Sequence, residues 1–328
     1  MNLMLLCAGE GTRLRPHTLI KPKPAIPFLG VPLAAYALEW AREIGVKKLV
    51  VNTHHLADQI HSLFHGFDHG AREVLFSDEQ PLLLGTGGGV QKAAAILGEE
   101  ESFLLMNGDE VFLPSHTGFL TEALRVHRHE HRAATLFVMN HPGVGHQFGG
   151  IWTDSSGKIL GVGKNALSGS HHGWHYIGAA ILSKRILQAL PEGPGNILHD
   201  GVMKALAEGA RVAVHPVEGW WHETGNESDL LEATRSGLEV LRQGPAAQKS
   251  FLSTLLDRQA PGWSWRAGQV PCLVLPGASV DSSVEIADFA VIGRRTRVEA
   301  GARLHQAVVG ENLILRARGQ PTHGLILS

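Results

Sequence analysis

Short apolar runs alternate with amphipathic stretches through the first two-thirds of the chain. LMLLCA (3–8), KKLVVNT (47–53), EVLFSD (73–78), SFLLMNGDE (102–110) and ATLFVMN (134–140) have the length and composition of buried strands. Between them, 32–44, 54–64, a stretch opening at 88–97 and 117–133 read as helices. This alternation predicts an α/β fold, a Rossmann-like, mostly parallel sheet with helices on both faces. Such sheets bind ligands beyond the carboxyl ends of their strands. Three polar segments that follow strands, GEGTR, SDEQ and NGDE, are thereby expected on one rim.

The pattern changes toward the end. ESDLLEATRSGLEVLR (227–242) predicts a long amphipathic helix, broken by Gly244-Pro245, and 246–270 predicts a connecting helix and a Trp-bearing loop. Then Val274, Val280, Ile286, Ile292, Val298 and Leu304 recur every six residues. Ala278, Val284, Ala290, Thr296, Ala302 and Val308 follow them by four, and all are small or β-branched. This is the hexapeptide signature of a β-helix, here a short left-handed one of two coils. The predicted organisation is 1–242 as a catalytic domain, 243–270 as a connecting helix and loop, and 271–328 as the β-helix. A tail of this kind must pack on the first domain or on another subunit, and in the second case it would be the surface of a homo-oligomer. Its inward positions carry no convergent acid, base or cation, and its expected role is structural.

Composition removes several function classes. The 328 residues carry a net charge of -2, with no basic excess for nucleic acid. No apolar run approaches the ~18 residues of a membrane span. The start lacks a basic region and a small-residue cleavage site, so it is read as a first strand, and the chain is expected to be cytoplasmic. Cys7 and Cys272 are the only cysteines, which leaves no disulfide framework. Twenty histidines are present, densest in HRHEHR (127–132). His127 and His131 stand one helical turn apart, a spacing that suits a metal but more commonly a solvated helix face.

The chemistry concentrates in LCAGEGTRLRPHTLIKPKPAIPFLGVPL (6–33). Gly9 and Gly11 permit backbone conformations that other residues avoid, and such a loop can turn several N–H groups toward one anion. Arg13 adds a planar fork suited to phosphate oxygens. Pro22 and Pro24 stiffen the backbone around Lys23. The segment fits a polyphosphate, yet it has neither the GK[ST] of a P-loop nor a GxGxxG.

Gly9-Glu10-Gly11-Thr12-Arg13-Leu14-Arg15-Pro16, Pro22-Lys23-Pro24 and Gly30-Val31-Pro32-Leu33 are similar to the signature of the sugar-1-phosphate nucleotidylyltransferases, also called nucleotide-sugar pyrophosphorylases. Later segments agree in order. Leu84-Gly85-Thr86-Gly87-Gly88-Gly89 resembles the family's second nucleotide loop, Asn107-Gly108-Asp109 its metal-binding turn, and Trp221-His222-Glu223-Thr224-Gly225-Asn226 its W-x-D-x-G-T. The resemblance implies in-line attack of a sugar 1-phosphate on the α-phosphorus of a nucleoside triphosphate, with release of pyrophosphate. It implies that Arg13, Lys23 and Asp109 carry catalysis. Leu6, Ala8, Gly9, Gly11, Thr12, Arg13, Gln80, Gly85, Thr86 and Asn107 would hold the nucleotide, with Glu79 an alternative to Gln80. Gly149, Lys164 and Tyr176 would hold the sugar phosphate, and Asp109 with Glu223 a Mg²⁺ ion. An Asx-turn remains the alternative for Asp109, and an exposed hairpin lysine for Lys164.

The sugar half departs from the family pattern. Glu223 and Asn226 replace Asp and Thr, Gly163 replaces the sugar-binding Glu of V-x-E-K-P, and Tyr176 replaces an Asn. The loops look most like guanylyl- and uridylyltransferases acting on mannose- or heptose-type and N-acetylmuramate 1-phosphates, and the tail leans toward the guanylyl branch. The departures also motivate a regulatory homologue that binds a nucleotide-sugar without turnover. Intact Arg13, Lys23 and Asp109 argue against it.

Overall fold

A computed structural model describes residues 1–327. The central sheet is built on the strand Leu3–Leu6, flanked in parallel by Lys48–Thr53 and Ser102–Asn107, with Glu73–Asp78 parallel outside Lys48–Thr53. Side chains alternate across it. Leu3 and Leu5 pack with Leu38, Ile60 and Leu120, from the helices Leu33–Ala41, Ala57–Gly66 and Phe119–His129. Met4 and Val50 face the other way, onto Val90, Leu97 and Ile186. Near-continuous apolar strands are what covering both faces requires.

The other half of the sheet differs from the sequence expectation. The long strand His172–Ser183 runs antiparallel to Ser102–Asn107, to Ala134–Met139 and to Gly150–Thr153. Ala134–Met139 is parallel only to Val212–Pro216. The sheet is therefore mixed, and parallel in its N-terminal part. A central strand buried on both faces is equally apolar in either direction, which hides its orientation from the sequence. No helix among the described residues is long and apolar enough to cross a membrane.

The helix Glu227–Gln243 starts at Asn226, whose Oδ1 accepts the Asp229 amide at 3.0 Å, an N-cap that satisfies an otherwise free donor. The helix Ala246–Gln259 follows. Beyond it, Cys272–Val274, Glu285–Ile292, Arg303–Val309 and Thr322–Ile326 stack in parallel, with Cys272 opposite Ala290 and Leu304 opposite Thr322. A second parallel stack joins Ser279–Val280, Arg297–Val298 and Ile314–Leu315. Trp265, read as a loop residue, pairs with Leu273 in the first stack. Stacking continues past the two expected coils, because the spacing slips by one residue and the six-residue count stops finding it. Ala290 pairs with Ala307, one residue short of the earlier spacing, and Gln306 has a φ of 48°. Ala307 and Val309 consequently fill the tail's interior, and Val308, expected inside, joins the cluster shared with Leu230, Leu252 and Phe28. That cluster, with Leu273, Phe289, Val291 and Leu325, fastens the tail to the two helices before it.

His127 is neither a ligand nor on a solvated face. It is buried, with Nε2 3.1 Å from Ser102 Oγ and Nδ1 3.0 Å from Thr135 Oγ1. Burial, aided by Arg132 and Arg128, lowers its pKa to about 4. The native state thus resists protonation. The penalty is absent above the unfolded value near 6.5 and grows as pH falls to about 4. We expect His127 to cost roughly 3 kcal/mol of stability between pH 7 and pH 4. Urea unfolding of wild type and His127→Asn at both pH values checks this, and parallel losses would disprove it.

Candidate active site

The three parallel strands end level, with Leu6 opposite both Asn52 and Asn107. A cleft of about 350 Å³ opens there. One wall is the loop after the first strand, through Leu6, Cys7, Ala8, Gly9, Gly11, Thr12 and Arg13. Gly11 has a φ of 61°, and a Cβ on it would lie 2.9 Å from Thr18 Cγ2. Thr18 Oγ1 donates to the Gly11 carbonyl at 2.9 Å, which fixes this turn. The Arg13 guanidinium is mostly exposed and sits 3.6 Å from Glu223 Oε1, close enough to be held and free enough to close on an anion.

Lys23 lies at the floor. A tight turn from Lys23 to Ala25, bounded by Pro22, buries its stem, and Nζ donates to Asp109 Oδ2 at 2.7 Å. Asp109 follows the strand Ser102–Asn107, and Thr224 Oγ1 donates to its carbonyl at 3.0 Å. This hydrogen bond ties the NGDE turn to the WHETGN segment.

The sequence reading missed Glu110. Its carboxylate accepts from Trp221 Nε1 at 2.9 Å and from Asn107 Nδ2 at 3.4 Å. Burial and the neighbouring Asp109 charge raise its pKa to about 7, with Glu223 adding and Trp221 and Lys23 opposing. Asn52 was also missed, and Glu79, the alternative to Gln80 for the nucleotide, is fully buried with both oxygens engaged within the protein. Asn52 Oδ1 accepts the Cys7 amide at 2.7 Å, and its Nδ2 donates to buried Glu79 Oε1 at 2.7 Å. Glu79 Oε2 accepts the Leu84 amide at 2.8 Å. This brace links the anion loop to the segment 80–89. The only sequence signals are an Asn at a strand end and an acid in SDEQ.

Gly85 and Thr86 line the cleft, and Thr86 Oγ1 accepts the Ile197 amide at 3.0 Å. Gln80 is exposed, donates to the His54 carbonyl at 3.3 Å, and does not line the cleft. Asn107 and Asp109 line it, and so does Gly225 of the WHETGN segment.

Gly149, Lys164 and Tyr176 stand apart from the cleft. Gly150 pairs with Gly163, which brings Gly149 beside Lys164. Lys164 is exposed. Tyr176 is half-buried, and burial together with the Glu110 charge holds its hydroxyl above its ordinary pKa. Next to it, buried His175 packs 4.3 Å from the Trp221 ring, with His141 and Phe148 alongside. Glu110 and Trp221 thus connect the cleft to this second region.

No group of three or more His, Cys, Asp or Glu side chains among the described residues could by itself hold a metal ion. The donors at the cleft are hard carboxylate oxygens, Asp109 with Glu223 beyond Arg13. That set fits Mg²⁺, which takes one or two carboxylates and fills its octahedron with phosphate oxygens and water.

A glycine loop, a buried lysine and an acid at the ends of parallel strands define an α/β enzyme that handles phosphoryl groups. A sequence model of the Nucleotidyl transferase family matches residues 2–239, and the chain belongs to that family. A UTP–glucose-1-phosphate uridylyltransferase of Synechocystis is 27% identical over 96% of this chain and 78% of its own. A mannose-1-phosphate guanylyltransferase of Mycobacterium tuberculosis is 24% identical over 97% and 82%. Among solved structures, a UDP-glucose pyrophosphorylase from Acinetobacter superposes with a TM-score of 0.63 at 19% identity, over 78% of this chain and 98% of that one. The fold is accordingly the mixed α/β nucleotidyltransferase fold with a parallel-rich central sheet.

Proposed function

We propose that this enzyme transfers a nucleotidyl group from a nucleoside triphosphate to a sugar 1-phosphate, with guanylyl transfer to a mannose-type 1-phosphate as the lead reading. The observation that carries it is the Lys23–Asp109 pair at 2.7 Å beneath a glycine loop and the mostly exposed Arg13. A phosphate oxygen of the sugar 1-phosphate bonds to the α-phosphorus. The bond from that phosphorus to the α–β bridging oxygen breaks, and pyrophosphate leaves with the electron pair. The loop amides and Arg13 hold the triphosphate and the departing pyrophosphate. Lys23 offsets charge at the phosphoryl centre, and positioning with charge stabilisation supplies the acceleration. Asp109 and Glu223 would hold a Mg²⁺ ion, whose part is to neutralise phosphate charge.

Lys164, Gly149 and Tyr176 form the sugar-phosphate side in this reading, and Glu110 supplies a carboxylate there in a chain that has Gly163 where the family has Glu. We read 1–242 as the catalytic domain and 271–328 as a left-handed β-helix. The 17- to 18-residue strand spacing supports that reading. The experiment is pyrophosphate release from GTP, UTP, dTTP and ATP against mannose, glucose, heptose and N-acetylmuramate 1-phosphates. Release with GTP and mannose 1-phosphate is expected. Best turnover with UTP and N-acetylmuramate 1-phosphate would move the chain to the uridylyl reading, and no release from any pair would overturn nucleotidyl transfer.

Lys164→Ala should raise KM for the sugar phosphate about tenfold and leave KM for the nucleotide nearly unchanged, because an exposed point charge acts on the phosphate it contacts. Steady-state kinetics with each substrate varied separately tests this. An effect confined to the nucleotide would remove Lys164 from the sugar side.

A further inference from the structure

The Glu227 side chain stands between the tail's last strand and the glycine loop. Glu227, the first residue of the helix Glu227–Gln243, extends its two carboxylate oxygens in two directions. Oε1 accepts the backbone amide of Leu325 in the strand Thr322–Ile326, at 2.8 Å. Oε2 lies 3.2 Å from His17 Nε2. His17 is mostly buried and belongs to the loop that carries Arg13. The next residue, Thr18, donates to the Gly11 carbonyl at 2.9 Å, and its own carbonyl is 2.6 Å from His55 Nε2. A continuous path runs from Leu325 to Gly11: a hydrogen bond to Glu227, the 3.2 Å Glu227–His17 contact, the covalent step to Thr18 and its hydrogen bond to Gly11.

The strand is shaped for this contact. Gly324 has a φ of 90°, and a Cβ on it would fall well inside van der Waals contact of Glu227 Oε1. Any other residue at 324 would be strained and would displace the carboxylate from the Leu325 amide. Burial acts to raise the Glu227 pKa, but the Leu325 amide and His17 outweigh it, and the group is held below its ordinary value. The carboxylate is thus more favourable in this arrangement than in water. The tail side of the contact is itself anchored, since Arg235 Nη2 meets Asp288 Oδ2 at 2.6 Å and Leu325 packs in the cluster shared with Leu230 and Leu231.

We propose that Glu227 is a positioning residue through which the C-terminal strand sets the conformation of the triphosphate loop. Glu227 acts through His17 on a loop that the ligand uses, and the tail is in this sense part of the nucleotide site. Sequence alone places every phosphate-handling residue before position 227 and leaves the tail with no such part. The inference rests on the proposed triphosphate site.

The test uses the full chain and three variants, Glu227→Ala, Glu227→Gln and Gly324→Ala. Glu227→Gln keeps an oxygen for the Leu325 amide and offers an N–H toward His17. Magnesium-GTP and magnesium-UTP are titrated calorimetrically into protein shown to be folded by near-ultraviolet circular dichroism, and KM for each substrate is measured. Glu227→Ala and Gly324→Ala should weaken triphosphate binding and raise the triphosphate KM about tenfold, with the sugar-phosphate KM unchanged and Glu227→Gln within about twofold of wild type. Wild-type affinity in both Glu227→Ala and Gly324→Ala, with only a lower melting temperature, would reduce Glu227 to a structural contact and overturn the proposal. A wild type that binds neither triphosphate would instead overturn the functional reading beneath it.

Discussion

Asp109→Asn is expected to lower turnover by about three orders of magnitude, equivalent to about 4 kcal/mol of transition-state stabilisation. The substitution keeps the side chain's shape and an oxygen for Lys23 Nζ, which now stands 2.7 Å from Oδ2. It keeps the backbone carbonyl that accepts from Thr224. It removes one negative charge and the hardest oxygen donor at the cleft. The Asn oxygen and the Glu110 charge remain for Lys23, so the ammonium is not stranded, and the melting temperature should move by only a few degrees. Pyrophosphate release at saturating Mg²⁺ measures the effect. Turnover within tenfold of wild type would mean that the Asp109 carboxylate holds no metal and that its role is local to the turn. A second readout follows from Glu110, whose raised pKa owes most to burial and next to Asp109. In the variant that pKa should fall back toward the ordinary carboxylate value.

Lys23→Met is expected to cost roughly 10²- to 10³-fold in kcat, with a smaller change in the triphosphate KM. The stem of Lys23 is buried between two prolines, so methionine fills the same space and the fold has no cavity to close. What is lost is the buried cation of the cleft that pairs with Asp109. Lys23 opposes the rise of the Glu110 pKa, and without it Glu110 should titrate higher still. Transferred charge then develops beside an uncompensated acidic cluster. Single-turnover kinetics separates this loss from product release. A variant with normal single-turnover rate and weakened triphosphate binding would make Lys23 a binding group only.

Much of this architecture could be read from the chain, for identifiable reasons. Strand–helix alternation is written in apolar run length, and the Leu3–Leu6, Lys48–Thr53 and Ser102–Asn107 strands appear where it predicts them. The anion loop is visible because glycine, arginine and paired prolines are rare together. Strand direction was not visible, because Ala134–Met139 is equally apolar between an antiparallel and a parallel neighbour. The slip that turns Val308 outward depends on one left-handed residue, Gln306, at a position no local pattern marks. Glu110 escaped because an acid after Asp109 looks like a solvated turn, and only the fold places Trp221 against it. His127 escaped for the converse reason. His127 lies on a helix and its partners Ser102 and Thr135 on two strands, and nothing in HRHEHR announces them.

The brace formed by Asn52 and Glu79 bears on how such an enzyme could be re-engineered. In the proposed reading the segment 80–89 lies on the nucleotide side of the cleft and is the cassette to exchange between relatives when a different base is wanted. Its first anchor is not within it. Leu84 is held by Glu79, Glu79 by Asn52, and Asn52 in turn holds the Cys7 amide at the start of the anion loop. A graft that begins at residue 80 keeps the host's anchor and inherits its geometry. A graft that brings its own residue at 79 must also bring a matching partner at 52, or it leaves a buried carboxylate without its donor and loosens the glycine loop whose Cys7 amide Asn52 holds. The exchangeable unit is therefore two separate pieces of chain, one of them on a different strand.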